Sequence, residues 1–161
     1  MTLDLPDAAA TEALGKTLGK TLAAALPPEL AGWMLLLSGE LGSGKTTLAR
    51  ALLESLGHHE PVPSPTYTLV EAYELPAGIV YHIDLYRINS EDELRYLGWD
   101  GFDDGLRLIE WPERAPRLTA HADVSLELQY ADPGRAALIE LLSPRAIATF
   151  GKYFAGLSTR P

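Results

Sequence analysis

Cysteine is absent from the 161 residues. That absence excludes disulfides, thiolate zinc sites and cysteine nucleophiles together, and it agrees with a reducing compartment, so the cytoplasm is the expected location. Positive charge is scarce: 13 Lys and Arg stand against 22 Asp and Glu, a formal net charge of -9. Such a chain repels polyanions at long range and is not expected to be a general nucleic-acid binder on its own. Long apolar runs are missing too. Residues 22–26 and 33–37 are among the longest, far below the roughly 20 residues that cross a bilayer, so no membrane role is expected. Asp4 and Asp7 lie near the start, no Lys or Arg precedes Lys16, and an apolar signal core is lacking, which argues against secretion.

What is present describes an ordinary globular protein. Hydrophobic residues make up 47% and charged residues 22%, a balance that excludes disorder. At about 150 residues per domain the length predicts a single domain. A chain of this size buries roughly 68–70% of its unfolded surface, enough for a core without disulfides or structural metals.

The apolar pattern orders the elements. Ala10, Leu14, Leu18 and Leu22 recur every four residues, a helical stripe over Asp7–Leu26 with Asp7 as N-cap and Pro27-Pro28 as its stop. Within it, Gly15 and Gly19 are spaced for close helix approach, and the flanking Lys16 and Lys20 exclude a membrane dimer motif. Trp33–Leu37 reads as a strand buried on both faces, and Leu48, Leu52, Leu53 and Leu56 mark a helix closed by Gly57. Pro61, Pro63 and Pro65 exclude regular structure from the loop 57–66.

Beyond that loop, Leu69–Leu75 and Ile79–Leu85 form an expected antiparallel hairpin around Pro76-Ala77-Gly78. Ser90 with Glu93 resembles a capping box opening a short helix to Leu97. Leu106–Trp111 is a further strand, and Val124–Tyr130 with Arg135–Leu142 a second hairpin about Asp132-Pro133-Gly134. A short helix over Ile147–Leu157 is weakly signalled. The expected fold is a single mixed α/β, three-layer domain of the P-loop type with parallel and antiparallel strands. Its core is expected over about 7–142, with a generic tail over 143–161.

The P-loop assignment rests on Gly39-Glu40-Leu41-Gly42-Ser43-Gly44-Lys45-Thr46, which matches G-x-x-x-x-G-K-[ST] between a predicted strand and a predicted helix. The pattern arises by chance in about three of every thousand chains of this composition, before its setting is counted. Its glycines let successive backbone N–H groups face phosphate oxygens, and the following helix adds unpaired amides and a partial positive charge. Lys45 is expected to bridge β- and γ-phosphates, and the Thr46 hydroxyl to take one place around Mg²⁺.

A magnesium ion held against a triphosphate needs further oxygen ligands at the C-terminal ends of neighbouring strands. Asp84 ends Ile79–Leu85 on the face of Val80 and His82, and Glu110 ends Leu106–Glu110 before Trp111-Pro112. Either acid suits the inner-sphere place. Ser64-Pro65-Thr66-Tyr67-Thr68 lies where nucleotide-sensing loops lie, and a hydroxyl from Thr66 or Thr68 suits a γ-phosphate or magnesium contact. His82 is read first as a hydrogen-bonded structural histidine, with water positioning or proton transfer as the alternative. For Arg87 and Arg135, a surface ion pair competes with phosphate neutralisation. Trp111 is expected in core or interface packing.

These motifs together resemble the TsaE (YjeE) family, the bacterial P-loop ATPases of tRNA threonylcarbamoyladenosine synthesis. The carrying segments are residues 39–47, Ser64-Pro65-Thr66-Tyr67-Thr68-Leu69-Val70, His82-Ile83-Asp84-Leu85-Tyr86-Arg87 and Ile109-Glu110-Trp111-Pro112. Residues 93–98 and Gly134-Arg135 also match, so the resemblance spans about 7–142.

The resemblance implies ATP or ADP binding with Mg²⁺, slow hydrolysis alone, and action with a TsaD–TsaB pair. That pair transfers threonylcarbamoyl to the adenosine beside the anticodon of ANN-reading tRNAs, so tRNA is met only indirectly. By similarity Glu40, Leu41, Gly42, Ser43, Gly44, Lys45, Thr46 and Thr47 contact nucleotide, and Thr46 and Glu110 contact magnesium. Asp84 acts at that centre directly or through water, and Thr66 and Thr68 belong to the switch. Thr11 and Arg135 are nucleotide contacts outside the loop, and Lys45, Asp84 and Glu110 carry the catalysis.

Two other functions compete. A small-molecule or nucleoside kinase needs an acceptor pocket and an arginine-rich lid, and no arginine cluster is present. A nucleotide-dependent switch without useful hydrolysis would use the same loop. A GTPase is disfavoured because no N-K-x-D motif occurs.

Overall fold

The computed structural model describes residues 1–25 and 30–157. The Pro27-Pro28 helix stop falls outside them. Seven strands form one sheet in the order β1-β7-β6-β2-β5-β4-β3. They are β1 (Thr2–Leu5), β2 (Met34–Gly39), β3 (Val70–Leu75), β4 (Gly78–Asp84), β5 (Gly105–Glu110), β6 (Val124–Tyr130) and β7 (Arg135–Leu141). The four central strands β6, β2, β5 and β4 run parallel, and antiparallel pairs flank them on both sides. The sheet is therefore mixed, as the hairpins at Pro76-Ala77 and at residues 131–134 require.

Three helices cover one face: α1 (Ala8–Ala25), α2 (Lys45–Ser55) and α3 (Pro144–Leu157). Asp7 caps α1, its Oδ1 accepting from the Ala10 N–H at 2.8 Å. α1 crosses α2 at the two glycines of its stripe. A methyl group at Gly15 would lie 2.9 Å from Ala51 Cβ, and one at Gly19 would lie 2.7 Å from the Leu52 carbonyl oxygen. The backbones approach closely because no side chain stands between them.

β2 shows why its run of apolar residues is continuous. Leu35 and Leu37 enter the cluster beneath the helices, with Leu18, Leu48 and Leu106, while Met34 and Leu36 enter a second cluster on the opposite face. All four are at most 2% exposed, and each contributes roughly 1.5–3 kcal/mol by burial. The second cluster is closed by 3₁₀ segments at Glu91–Leu97, Pro112–Arg114 and Pro116–His121 through Leu94, Ala115 and Leu118.

The structure departs from expectation in three places. β1 pairs antiparallel with the distant β7, Leu5 beside Arg135, and adds Leu5 to the core ahead of residue 7. α3 starts at Pro144 and buries Ala146, Phe150 and Phe154, with the Phe150 ring edge-on to Trp33 at 6.1 Å. Residues 143–157 are thus packed rather than a generic tail.

The Ser90 segment is a 3₁₀ helix with a shifted cap. Ser90 Oγ accepts from Asp92 N–H, and Glu93 reaches back to Asn89 N–H instead of Ser90. The tighter i→i+3 winding moves each partner by one residue. Among the described residues no helix is long and apolar enough to cross a membrane.

Candidate functional site

Strand register assembles the site. β4 and β5 pair so that Asp84 stands beside Glu110, and β5 pairs with β2 so that Glu110 stands beside Leu37, two residues before Gly39. Both acids and the glycine loop therefore meet at the C-terminal ends of parallel strands, where open α/β sheets place ligands. Gly44 enters α2 at φ 109°, a left-handed conformation that side chains disfavour. It turns the chain so that the first amides of α2, which have no intrahelical partner, line the cavity.

That cavity has a volume of roughly 210 Å³ and is lined by Leu41, Gly42, Gly44, Lys45, Thr46, Thr47, Ser64, Thr66, Asp84, Glu110 and Trp111. A second hollow of roughly 130 Å³ lies between Asp7, Ala8, Thr11 and Arg135 and shares Gly42, Gly44 and Thr47 with the first. The two form one groove across the loop. Glu40 and Ser43 line neither hollow: the Glu40 carbonyl accepts from Lys45, and Ser43 Oγ is buried without a partner among the described residues.

Lys45 is only 5% exposed. Its Nζ donates to the carbonyls of Gly39 at 2.6 Å and Glu40 at 3.0 Å and lies 4.0 Å above the Trp111 ring. Burial holds its ammonium below the ordinary lysine value, against the opposing charges of Glu110, Glu113 and Asp84. An ammonium so placed gains from any anion entering the groove.

The carboxylates differ in their commitments. Thr46 Oγ1 lies 3.2 and 3.4 Å from the two oxygens of Glu110, and His82 Nε2 lies 2.8 Å from Glu110 Oε1. Asp84 accepts from Tyr86 N–H at 2.8 Å and from Thr66 Oγ1 at 2.9 Å, and Ser64 Oγ pairs with Thr66 Oγ1. Hydroxyl and carboxylate oxygens suit a hard cation such as Mg²⁺. Among the described residues no group of three or more His, Cys, Asp or Glu forms a metal cage, so an ion here would need further oxygens, as magnesium does when it shares phosphates with one or two carboxylates.

Most residues expected at the site converge there. Thr68 does not: it is exposed and lines neither hollow, because the turn over 65–69 ends on Leu69 at φ 65° and directs Thr66, not Thr68, to Asp84. Arg87 lines neither hollow and stacks on Tyr67 at 4.3 Å. Arg135 holds the Gly42 carbonyl at 3.2 Å. Trp111 packs against the second apolar cluster, as expected, and also faces the cavity, because it leaves β5 in a left-handed turn at φ 59° that lays its ring against Lys45. The Trp-Pro pair ending a strand at an acid was the available signal.

Comparison with known proteins gives the chain a family and its fold a relative. The family model "Threonylcarbamoyl adenosine biosynthesis protein TsaE" matches residues 5–137. A relative from Haemophilus influenzae, "tRNA threonylcarbamoyladenosine biosynthesis protein TsaE", is 44% identical over 112 residues, 68% of this chain and 70% of the relative. A Nostoc protein of the same name is 38% identical over 135 residues, 81% and 78% of the two chains. The crystal structure of Bacillus subtilis YdiB superposes with a TM-score of 0.68 at 21% identity, covering 97% of this chain and 93% of that one, and shares the fold.

Proposed function

The chain belongs to the TsaE family, and from that premise we propose that it is a magnesium-dependent ATPase that works with a TsaD–TsaB pair in threonylcarbamoylation of tRNA. The observation that carries the nucleotide part is the convergence of Lys45, Thr46, Asp84 and Glu110 on one groove at the start of α2. The relatives' names carry the tRNA part and speak against a small-molecule kinase.

In this reading the loop amides and Lys45 hold the phosphates, and Lys45 exchanges its bonds to the Gly39 and Glu40 carbonyls for phosphate oxygens. Magnesium, when bound, neutralises charge on the phosphates. Thr46 and Glu110 are placed to hold it, since they already share one hydrogen-bonded unit. Asp84 stands one strand over and holds Thr66, so it links the site to the turn over 65–69. Thr11 and Arg135 flank the part of the groove left for the rest of the nucleotide.

Among the described residues no arginine lines this cavity, and a site with few donors for transition-state charge supports the reading of slow turnover alone. A partner supplies or orders the missing donor. An overall charge of -9 suits a protein that meets tRNA through such a partner.

Hydrogen exchange tests this reading. With a non-hydrolysable ATP analogue and Mg²⁺, amides of residues 40–47 and 64–69 gain protection by about tenfold or more, as stabilised local structure does. Equal exchange with and without the analogue contradicts it.

A further inference from the structure

His82 has no task in the ATPase reading, yet it is fully buried in β4. Its Nε2 lies 2.8 Å from Glu110 Oε1 across the parallel β4–β5 pair. A carboxylate that is to face a cation only accepts, so Nε2 must carry the hydrogen of this bond. Nδ1 has no hydrogen-bond partner among the described residues. Among the described residues the ring's one hydrogen-bond partner is therefore Glu110. From there the chain continues to Thr46 Oγ1, so His82, Glu110 and Thr46 form a line from the sheet interior to the groove.

The strand holds the imidazole rigidly, whereas a glutamate has three side-chain torsions to spend. A donor fixed in the sheet removes that freedom and turns the carboxylate toward the hydroxyl. We propose that His82 is a positioning residue whose Nε2–H holds Glu110 Oε1, so that the carboxylate faces Thr46 and the magnesium ion expected there. The proposal rests on the magnesium–ATP reading.

The test compares His82→Gln, whose amide nitrogen reaches the place of Nε2, with His82→Asn, which falls short, and His82→Leu, which has no donor. ADP affinity is measured by calorimetry in EDTA and across a Mg²⁺ titration, with thermal unfolding recorded for each protein. The proposal expects all folded variants to match wild type in EDTA within about twofold. It expects Asn and Leu to need about 10- to 100-fold more Mg²⁺ for the same ADP affinity, the usual cost of losing a ligand's outer partner, and Gln to recover most of it.

A purely structural histidine lowers the unfolding temperature in Asn and Leu and leaves the magnesium titration at its wild-type midpoint, which overturns the proposal. If Leu does not fold, the Gln and Asn pair decides the same question. If wild type binds no ADP, the ATPase reading itself has failed. The nitrogen-15 spectrum of the nucleotide-free protein then still decides the geometry: a His82 proton on Nε2 that shifts in Glu110→Ala upholds the bond, and one on Nδ1 refutes it.

Discussion

Lys45→Met binds ADP about 100-fold more weakly than wild type, and its stability relative to wild type falls as pH rises toward 10.5. Two charge-assisted hydrogen bonds to phosphate, at a net 1.5 kcal/mol or so each, amount to roughly that loss. The stability half of the result follows from burial. Lys45 is held below its ordinary value of 10.5 chiefly because its ammonium is desolvated. The unfolded chain therefore binds that proton more tightly than the fold does, and the charged lysine costs stability below its lowered value.

Methionine leaves the Gly39 and Glu40 carbonyls without their donor, but it fills the same space beside Trp111 without the charge cost, which is its gain. The gain is greatest at neutral and lower pH and fades as pH rises through the lowered value toward 10.5, where wild type sheds the proton. Calorimetry and melting curves at two pH values check both halves. Unchanged ADP affinity removes Lys45 from the phosphate site.

Glu110→Gln reduces ATP turnover by about 100-fold or more, the scale of losing an acid–base or charge-positioning group, and raises the Mg²⁺ concentration needed for half-maximal rate. Glutamine keeps the shape that fills the space between His82 and Thr46, so folding survives. Asp84→Asn is the informative partner. Its side chain is engaged by Thr66 and Tyr86 N–H, so its effect falls on the order of the 65–69 turn as well as on magnesium. Identical magnesium titrations in Glu110→Gln and wild type remove Glu110 from the metal centre.

The parts of this site that were legible in the sequence are those where chemistry restricts residue type at fixed spacing. The loop 39–46 is one such part. Alternation along Ile79–Leu85 and Leu106–Glu110 is another, since period two alone puts Asp84 and Glu110 at strand ends on the faces of Val80 and Leu106. What alternation lacks is register. That Asp84 neighbours Glu110, and that His82 reaches Glu110, depends on the β4–β5 pairing between strands more than 20 residues apart. Thr68 and the face that Trp111 turns to the cavity escape the pattern for a shared reason. Leu69 and Trp111 both adopt positive φ, and a single left-handed residue redirects its neighbours in a way that periodicity does not carry. β1 is short, and its assignment requires β7, which lies at the far end of the chain.

The central claim is tested most directly by ATP hydrolysis with the purified chain alone, with purified TsaD–TsaB, and with Lys45→Met as the blank. The account predicts slow hydrolysis alone, a rate stimulated by the pair, and neither in the variant. Nucleotide binding with no stimulation by the pair, or hydrolysis that survives in Lys45→Met, would contradict it.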